Sequence, residues 1–399
     1  MLIGLVGKPN SGKTTLFNAL TSGRAKTADY PFTTIEPNIG VGYVTQKCAC
    51  RDFNVDDDPR NSVCRKGVRY IPVKVIDVAG LVPDAWKGRG LGNEFLDDLR
   101  QADVLIHVVD GSGRYDADGK DLGSPGSWDP LKDIDFLEQE ISRWMHQIIM
   151  REWDQIKRRL KSGRDKVTTL LETRLTGLSI KRETIENAIT ETELLQLKPE
   201  NWTDQDLLRL TKKIREKAKP NLTMLNKMDI PKAAENFERI KVKEKVVPAS
   251  ALAELALIEG VERNTIEYTR GGRNFKILER DDLSNRKKKL YNKIRELMGE
   301  WGSTGVQECI NTAVFDILDM IVVYPVRNVE NLTDKEGRVL PDVHLVKKGT
   351  TAKEFAGKIH SDIKKTFLFA IDARKKRKIS ANYRLENRDV ISIKTSSRS

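Results

Sequence analysis

Short apolar runs predict a sheet of mostly parallel strands in the first 130 residues of the chain and again after residue 220. Most of the runs are rich in β-branched residues and lack polar interruptions, which is typical of strands buried on both faces of a sheet. The predicted strands are residues 2–6, 39–44, 73–76, 104–110, 221–225 and 246–249. We therefore expect one α/β domain that the chain leaves and later re-enters.

Between residues 131 and 220 the apolar positions recur every three or four residues, which predicts helices. The residues that share one face of the first helix are Leu137, Ile141, Trp144, Met145, Ile148, Ile149, Trp153, Ile156 and Leu160. Because residues 133–160 contain no proline or glycine, we expect one long helix there. A second helix is predicted from residue 167 to residue 175, and a third after the capping residue Thr203.

The last part of the chain returns to short strands. Two helices are predicted at residues 281–299 and 303–320, followed by strands around a helix that begins after Thr351. This order is typical of a small β-grasp domain. The predicted fold is an α/β P-loop domain with an inserted α-helical arm and a C-terminal β-grasp domain. The predicted boundaries are residues 1–130 and 221–320 for the P-loop domain, 131–220 for the arm and 321–399 for the β-grasp domain.

The first predicted strand is followed by a phosphate-binding motif. Its residues are Gly7, Lys8, Pro9, Asn10, Ser11, Gly12, Lys13 and Thr14, and Thr15 continues into a predicted helix. A glycine loop between a strand and a helix N-terminus directs backbone N–H groups and a positive dipole end at one point, which suits a triphosphate. We expect Lys13 to reach the β- and γ-phosphates and the Thr14 hydroxyl to bind Mg²⁺.

Two later segments complete the expected phosphate and metal site. Asp77 ends a strand and is followed three residues later by Gly80, so Asp77 is expected to hold Mg²⁺ through water and the Gly80 N–H to contact the γ-phosphate. Residues 24–37 contain two prolines and are interpreted as a switch loop. One threonine of this loop is expected to contact Mg²⁺ and the γ-phosphate. Thr34 is the preferred residue, and Thr33 is the alternative.

A base-binding motif follows the strand at residues 221–225. Its residues are Asn226, Lys227, Met228 and Asp229, and Ser250 and Ala251 follow the last strand of the sheet. The Asp229 carboxylate can accept hydrogen bonds from N1–H and the 2-amino group of guanine, whereas adenine offers no such pair. Lys227 is expected to cover the base and ribose, and the backbone of Ser250 and Ala251 to support the guanine oxygen.

The composition of the chain indicates a second kind of partner besides a nucleotide. The chain has 399 residues, 39% of them hydrophobic and 32% charged, and a net charge of +12. This excess favours a polyanionic partner, either the ribosome or RNA such as ribosomal RNA or tRNA, and no DNA specificity is expected. The alternative is a charge-rich surface without such a role. No apolar run approaches the ~20 residues that span a bilayer, so no membrane is expected.

The four cysteines are too few for a disulfide scaffold. Cys48, Cys50 and Cys64 lie in one polar segment, but a fourth zinc ligand is missing from the pattern. Free thiols in a reducing cytoplasm are therefore expected, and metal binding at these cysteines is kept as the alternative. The protein is expected to be cytoplasmic and monomeric.

Taken together, these motifs resemble the Obg-related P-loop GTPases of the translation-factor class, in particular the archaeal form of the Obg-like ATPase branch. The resemblance rests on residues 7–14, 30–37 and 77–82, on the helical insert, and on residues 340–343 and 348–351 of a C-terminal TGS domain. It implies nucleotide hydrolysis, association with the ribosome or RNA, and a three-part architecture.

Three positions refine that expectation. Many relatives of this branch end the base-binding motif in Glu and prefer ATP, whereas Asp229 predicts GTP with ATP tolerated. Leu81 occupies the position where Ras-like enzymes place a glutamine that orients water, so slow intrinsic turnover is expected. Asn10 resembles the asparagine with which other relatives hold K⁺ near the phosphates, so K⁺ is an alternative cofactor beside Mg²⁺.

The predicted function is a Mg²⁺-dependent, GTP-hydrolysing switch. Lys13, Thr34, Gly80 and Leu81 are the residues expected at the reacting γ-phosphate, and Thr14, Thr34 and Asp77 are the expected metal ligands. One alternative is an ATP-preferring Obg-like ATPase, and a separate one is an ATPase with a metabolic substrate in the cleft between domains. Another is a nucleotide-gated RNA-binding module in which hydrolysis is incidental.

Overall fold

The computed structural model describes residues 1–22, 38–78, 80, 98–163, 165–178, 180–278 and 284–396. The chain divides into two compact units. The first unit comprises Met1–Leu20 and Val75–Cys309, and the second comprises Thr21–Lys74 and Ile310–Ser399. The predicted domain boundaries near residues 130, 220 and 320 remain a prediction.

The elements are numbered in chain order. The strands are β1 (Leu2–Val6), β2 (Ile39–Lys47), β3 (Val63–Arg65), β4 (Val68–Asp77), β5 (Val104–Asp110), β6 (Asn221–Asn226), β7 (Val246–Pro248), β8 (Ile266–Tyr268), β9 (Phe275–Ile277), β10 (Met320–Pro325), β11 (His344–Lys347), β12 (Phe367–Asp372), β13 (Arg377–Ile379) and β14 (Asp389–Thr395). The α-helices are α1 (Lys13–Thr21), α2 (Cys50–Phe53), α3 (Pro130–Met150), α4 (Trp153–Lys161), α5 (Val167–Leu175), α6 (Arg182–Glu191), α7 (Asp204–Ala218), α8 (Pro231–Ile240), α9 (Ala251–Glu262), α10 (Asn285–Trp301), α11 (Val306–Asn311), α12 (Ala352–Ile359) and α13 (Ser361–Lys365).

A parallel sheet forms the centre of the first unit. Its strands follow the order β1-β5-β6-β7, and β4, whose last three residues belong to this unit, lies beside β1. Every residue of β1 and β5 is buried, as their uninterrupted apolar sequences predict. The predicted α/β class is therefore confirmed. Because the strands are parallel, the loops that follow them lie at one edge of the sheet, where ligands bind in such folds.

The helical part of the first unit differs from the prediction in one respect. The single helix expected at residues 133–160 is two helices, α3 and α4, separated at Arg151 and Glu152. Glu152 leaves the helical region with φ −127° and ψ 11°, and its side chain forms an ion pair with Arg174. Beyond the break, Trp153 stacks on Trp202 at 6.0 Å and 9°. The break thus has a tertiary cause, since no proline or glycine is present.

The other helices of this region follow the sequence pattern more closely. α5 has the predicted bounds, and α7 begins at Asp204 after the N-cap Thr203, which forms a capping box with Asp206. Helix α6 and the hairpin of β8 and β9 were not predicted. Within the described ranges, no helix combines the length and apolar character that crossing a bilayer requires.

The second unit contains the C-terminal β-grasp fold. Its five strands follow the order β11-β10-β14-β12-β13, with β10 and β14 parallel and the other neighbours antiparallel. Helix α12 begins with a capping box between Thr351 and Glu354 and buries Phe355 in the core of this sheet. The same unit holds β2 and β3, each of which pairs with β4.

Candidate nucleotide-binding site

The loop between β1 and α1 has the geometry expected of a phosphate-binding loop. Asn10 (φ 64°) and Gly12 (φ 95°) have left-handed backbone conformations, and α1 begins at Lys13. The first N–H groups of a helix lack acceptors within the helix and carry its positive dipole end. Lys13, Thr14 and Thr15 form this first turn, so their backbone can bind an anion.

The side chain of Asn226 joins this loop to the base-binding motif. Its amide nitrogen donates to Ser11 O at 2.8 Å, and its amide oxygen accepts from Ala251 N at 3.0 Å. A Cβ at Gly12 would lie 2.2 Å from Asn226 Nδ2, so a side chain at this position is excluded unless Asn226 moves. The two motifs, which lie more than two hundred residues apart in the sequence, therefore constrain each other directly.

Lys13, Thr14 and Asp77 lie together at the start of α1. Lys13 Nζ is 3.0 Å from Asp77 Oδ1, and Thr14 Oγ1 donates to Asp77 Oδ2 at 2.9 Å. Oxygen atoms of this kind are the ligands that Mg²⁺ prefers, and two that are this close can belong to one octahedral shell, directly or through a bound water. The residues present thus fit the expected metal. Gly80 lies beside the same loop, since a Cβ there would be 3.5 Å from Pro9 Cγ.

Lys8 has a structural role in the loop. Its side chain is buried, forms an ion pair with Asp133 at 2.7 Å and donates to Tyr115 O at 2.6 Å. Its ammonium also lies 5.3 Å from the centre of the Trp128 ring. Burial raises the pKa of the Asp133 carboxyl to about 6, while the charge of Lys8 opposes the rise. Because this side chain is enclosed, only the backbone of Lys8 is available to a ligand.

Removing one partner of this pair is expected to destabilise the protein. In Asp133→Ala the Lys8 ammonium stays buried without its counter-ion, so the free energy of unfolding should fall by about 3 kcal/mol. In the double variant Lys8→Met/Asp133→Leu no charge is left behind, and most of the loss should be recovered. Urea unfolding of the three proteins measures both effects. Equal destabilisation by the single and double variants would contradict this interpretation.

The residues expected at the base lie at the ends of β6 and β7. Ser250 Oγ donates to Asp229 Oδ1 at 2.6 Å and so orients the carboxylate, and Met228 N donates to Ala249 O at 3.2 Å. The expected discrimination against adenine is strongest for a carboxylate that is shielded from water, but Asp229 is exposed. A base that offers no donor to the Asp229 carboxylate therefore loses binding free energy only if the bound base also excludes water from that carboxylate.

Lys227 connects the base side of the site to the loop. Its ammonium donates to Asn10 O at 2.8 Å, lies 3.3 Å from Asp110 Oδ2 and is 4.4 Å from the centre of the Tyr115 ring. Burial lowers the pKa of Lys227, and the Asp110 carboxylate opposes that change. The aliphatic stem and the adjacent ring together form a flat surface of the kind on which a base can stack.

The segment after β5 also contributes to this site, which the sequence analysis did not predict. Asp110, Tyr115, Gly119 and Asp133 all contact the loop or Lys227, and Gly119 O accepts from Asn10 Nδ2 at 2.9 Å. One sequence feature could have indicated this contribution, namely the position of Asp110 at the carboxyl end of a central parallel strand. Thr33, Thr34 and Leu81 lie outside the described residues.

Comparison with known proteins gives the same assignment for three parts of the chain. Residues 2–150 match the model of the 50S ribosome-binding GTPase family, and residues 329–395 match the TGS domain. Residues 224–328 match the family described as Obg-like GTPase YGR210-like, G4 motif-containing domain. The predicted β-grasp domain is therefore confirmed as a TGS domain.

Similar proteins extend this result. A GTP-binding protein of Methanocaldococcus jannaschii is 46% identical over 98% of both chains, and one of Schizosaccharomyces pombe is 38% identical over 88% of both. The ribosome-binding ATPase YchF of Mycoplasma genitalium is 33% identical over 58% of this chain and 63% of its own.

Solved structures agree with this. A GTP-binding protein from Pyrococcus horikoshii aligns over 99% of this chain and all of its own, with a TM-score of 0.78 and 35% identity. The YchF GTPase of S. pombe shares the fold, with a TM-score of 0.57 and 20% identity over 99% of this chain and 97% of its own. With the loop, the base-binding motif and the TGS domain in place, the chain belongs to the YchF-type Obg-like GTP-binding proteins.

Proposed function

We propose that the chain binds Mg²⁺ and GTP at this site, hydrolyses the GTP slowly, and couples its nucleotide state to ribosome association. One observation carries the proposal. Asn226 holds the phosphate-binding loop against the strand ends that carry Asp229 and Ser250, so phosphate-binding and base-binding groups belong to one site. Mg²⁺, when bound, would neutralise phosphate charge and orient the β- and γ-phosphates.

The roles of the protein groups follow from their chemistry. Lys13 would donate to phosphate oxygens, and Thr14 and Asp77 would hold the metal, with Thr34 as a further ligand. The backbone N–H of Gly80, beside Pro9, would donate to the γ-phosphate. Leu81 has no hydrogen-bonding side chain, so another group must orient the attacking water, and slow turnover follows.

The proposed preference for guanine rests on Asp229. The names of the similar proteins do not agree on the nucleotide. The M. jannaschii relative is named a GTP-binding protein, whereas the M. genitalium relative is named an ATPase. Competitive titration of a fluorescent guanine nucleotide with unlabelled GTP and ATP tests the preference. We expect GTP to bind at least tenfold more tightly, because each lost hydrogen bond to a charged group is worth about 1.5–3 kcal/mol. Tighter binding of ATP would favour the ATPase alternative.

The proposed hydrolysis and ribosome coupling share one experiment. Single-turnover hydrolysis of GTP is measured with and without ribosomes, and in K⁺ and Na⁺ buffers. Stimulation by ribosomes supports the switch, whereas ribosome binding that ignores the nucleotide favours an RNA-binding module. Faster hydrolysis in K⁺ would support K⁺ binding at Asn10, whose amide nitrogen is engaged by Gly119 O while its amide oxygen can bind a cation. Equal rates in both salts would remove that role.

A run of five basic residues in the TGS domain, residues 374–378, offers a test of the RNA contact. Three of its side chains are engaged in ion pairs: Arg374 with Asp52, Lys375 with Glu386 and Lys376 with Glu330. Arg377 and Lys378 follow at the two exposed positions of β13, where Lys378 lies over Phe369. The engaged side chains are partly neutralised by their partners, so the last two are the better candidates for phosphate contacts.

We expect Arg377→Ala/Lys378→Ala to weaken ribosome co-sedimentation and to flatten its dependence on salt. Each lost phosphate contact should reduce the slope of log affinity against log salt by about 0.7–0.9. Lys288→Ala/Lys289→Ala removes the same charge from exposed positions of α10, and is the matched control. An equal effect of both pairs would show that only the overall charge matters.

A further inference from the structure

Three cysteines and one aspartate of the second unit converge on one point. Cys48 follows β2, Cys50 is the first residue of α2, Cys64 lies in β3, and Asp57 lies in the loop between α2 and β3. One ligand atom from each of the four residues lies within 4.8 Å of the others. The cysteine spacing alone lacked a fourth ligand, and the fold supplies it as Asp57.

The distances suit a single tetrahedral ion. Cys50 Sγ and Cys64 Sγ are 3.9 Å apart, and Cys48 Sγ is 3.2 Å from Asp57 Oδ2. With Zn–S near 2.3 Å and Zn–O near 2.0 Å, a tetrahedral site separates two sulfurs by about 3.8 Å and sulfur from oxygen by about 3.5 Å. An iron–sulfur cluster places several iron atoms between its ligands and needs wider spacing. Mg²⁺ and Ca²⁺ prefer oxygen ligands, and three thiolates do not suit them.

We propose that Cys48, Cys50, Asp57 and Cys64 bind one zinc ion as a structural site. Four protein ligands close the coordination shell, as in structural rather than catalytic zinc sites. A shallow pocket lined by Cys50, Asp57 and Cys64 opens beside the cluster and provides a path for the ion. None of these residues belongs to the nucleotide site.

Arg69 provides the second shell of this site. Its guanidinium is fully buried, pairs with Asp57 Oδ2 at 2.8 Å and donates to Ser62 Oγ at 2.9 Å. It also lies 5.3 Å from the centre of the Tyr324 ring. Three thiolates and a carboxylate leave a bound divalent ion with two excess negative charges, and a buried cation beside the carboxylate offsets one of them. Such outer partners orient the ligands of metal sites.

The thiols differ in how readily they lose protons. The pKa of Cys48 is lowered to about 6, chiefly by its hydrogen bond with Cys64 and despite burial, with a further contribution from the charge of Arg69. Burial raises the pKa of Cys50 to about 11, and the hydrogen bond with Cys48 raises the pKa of Cys64. Zinc binds cysteine as the thiolate, so metal binding releases thiol protons and the affinity should rise with pH.

The ion would fix a segment that has little regular structure of its own. Residues 48–65 contain only one turn of helix and a three-residue strand, yet they contact the chain just before β11. Asp58 N donates to Val339 O and Arg60 N donates to Pro341 O, both at 2.8 Å. Because metal binding is coupled to folding at such sites, removing the ion should release these contacts.

The test uses the full-length reduced protein. We expect about one zinc per chain after purification, measured by elemental analysis, and its removal by a chelator should lower the Tm reversibly. Reloading with Co²⁺ should give the absorption bands of tetrahedral cobalt with thiolate charge transfer. Asp57→Asn should keep the thiolate bands while weakening Co²⁺ affinity about tenfold or more.

Cysteine variants decide between this site and its rivals. Cys50→Ser/Cys64→Ser should lose the bound metal and most of the charge-transfer intensity, whereas Cys309→Ser, a buried cysteine outside the cluster, should change neither. Wild-type protein that binds neither ion when reduced would overturn the proposal. So would a Cys50–Cys64 disulfide as the sole product of purification without reductant, since the cluster would then be a thiol pair.

Discussion

Replacing Lys13 by alanine is expected to abolish useful GTP binding. In the proposed site the Lys13 ammonium would donate to phosphate oxygens, whereas the Lys8 side chain is enclosed by Asp133 and Tyr115. Losing two charge-assisted hydrogen bonds should lower the affinity about 100-fold or more, and single-turnover hydrolysis should fall at least as much. Isothermal titration with GTP and with GDP separates the contributions, since GDP lacks the γ-phosphate contact and should lose less.

A matched variant distinguishes this effect from a general change of charge. Lys232→Ala removes an exposed lysine that pairs with Glu235 on α8, and it should leave GTP affinity unchanged. The side chains of Lys13 and Asp77 are mostly buried, so Lys13→Ala leaves Asp77 without its cation and a lower Tm is expected; GTP affinity is therefore measured well below that Tm. If Lys13→Ala binds GTP as wild type does, the triphosphate is not at this helix end and the proposed site is wrong.

Replacing Asp229 by asparagine is expected to change which base is bound. The new amide would present its N–H groups to the 2-amino group of guanine, a donor facing a donor, so GTP affinity should fall about 100-fold. Xanthine carries an oxygen at the same position, which the amide can satisfy. We therefore expect Asp229→Asn to bind xanthosine triphosphate more tightly than GTP in a competitive titration, reversing the order in the wild type.

Ser250→Ala provides the graded comparison. It removes the hydroxyl that donates to Asp229 Oδ1 but leaves the carboxylate in place. Loss of one such bond should lower GTP affinity by roughly 2–10-fold and preserve the preference for guanine. Asp154→Asn, at an exposed carboxylate of α4, should have no effect. Unchanged discrimination in Asp229→Asn would mean that base selection resides elsewhere.

Some elements of the fold follow from their local sequence, whereas others depend on contacts with residues far away in the chain. The central strands were predictable because continuous apolar sequence is required wherever both faces of a sheet are covered, as in β1 and β5. The break between α3 and α4 was not, because it depends on contacts of Glu152 with Arg174 and of Trp153 with Trp202. Periodicity within one helix contains no record of such distant partners.

The same distinction holds for the two sites. The nucleotide motifs could be found from their spacing because each occupies a few consecutive residues after a strand. Tyr115 and Asp133 belong to no such motif and reach the loop only through the fold. Asp57 was overlooked for a related reason: aspartate is abundant in its segment, and nothing in the sequence separates a ligand from its neighbours.

The contacts of Asn226 have a consequence for how the two ends of a nucleotide would be sensed. Since one buried amide holds both Ser11 and Ala251, a displacement at the nucleoside end cannot leave the phosphate end undisturbed. Free guanine and inorganic triphosphate, offered as separate fragments, would not together reproduce the binding free energy of the intact ligand. Replacing one base by another would then also change the contribution of the phosphates to the binding free energy.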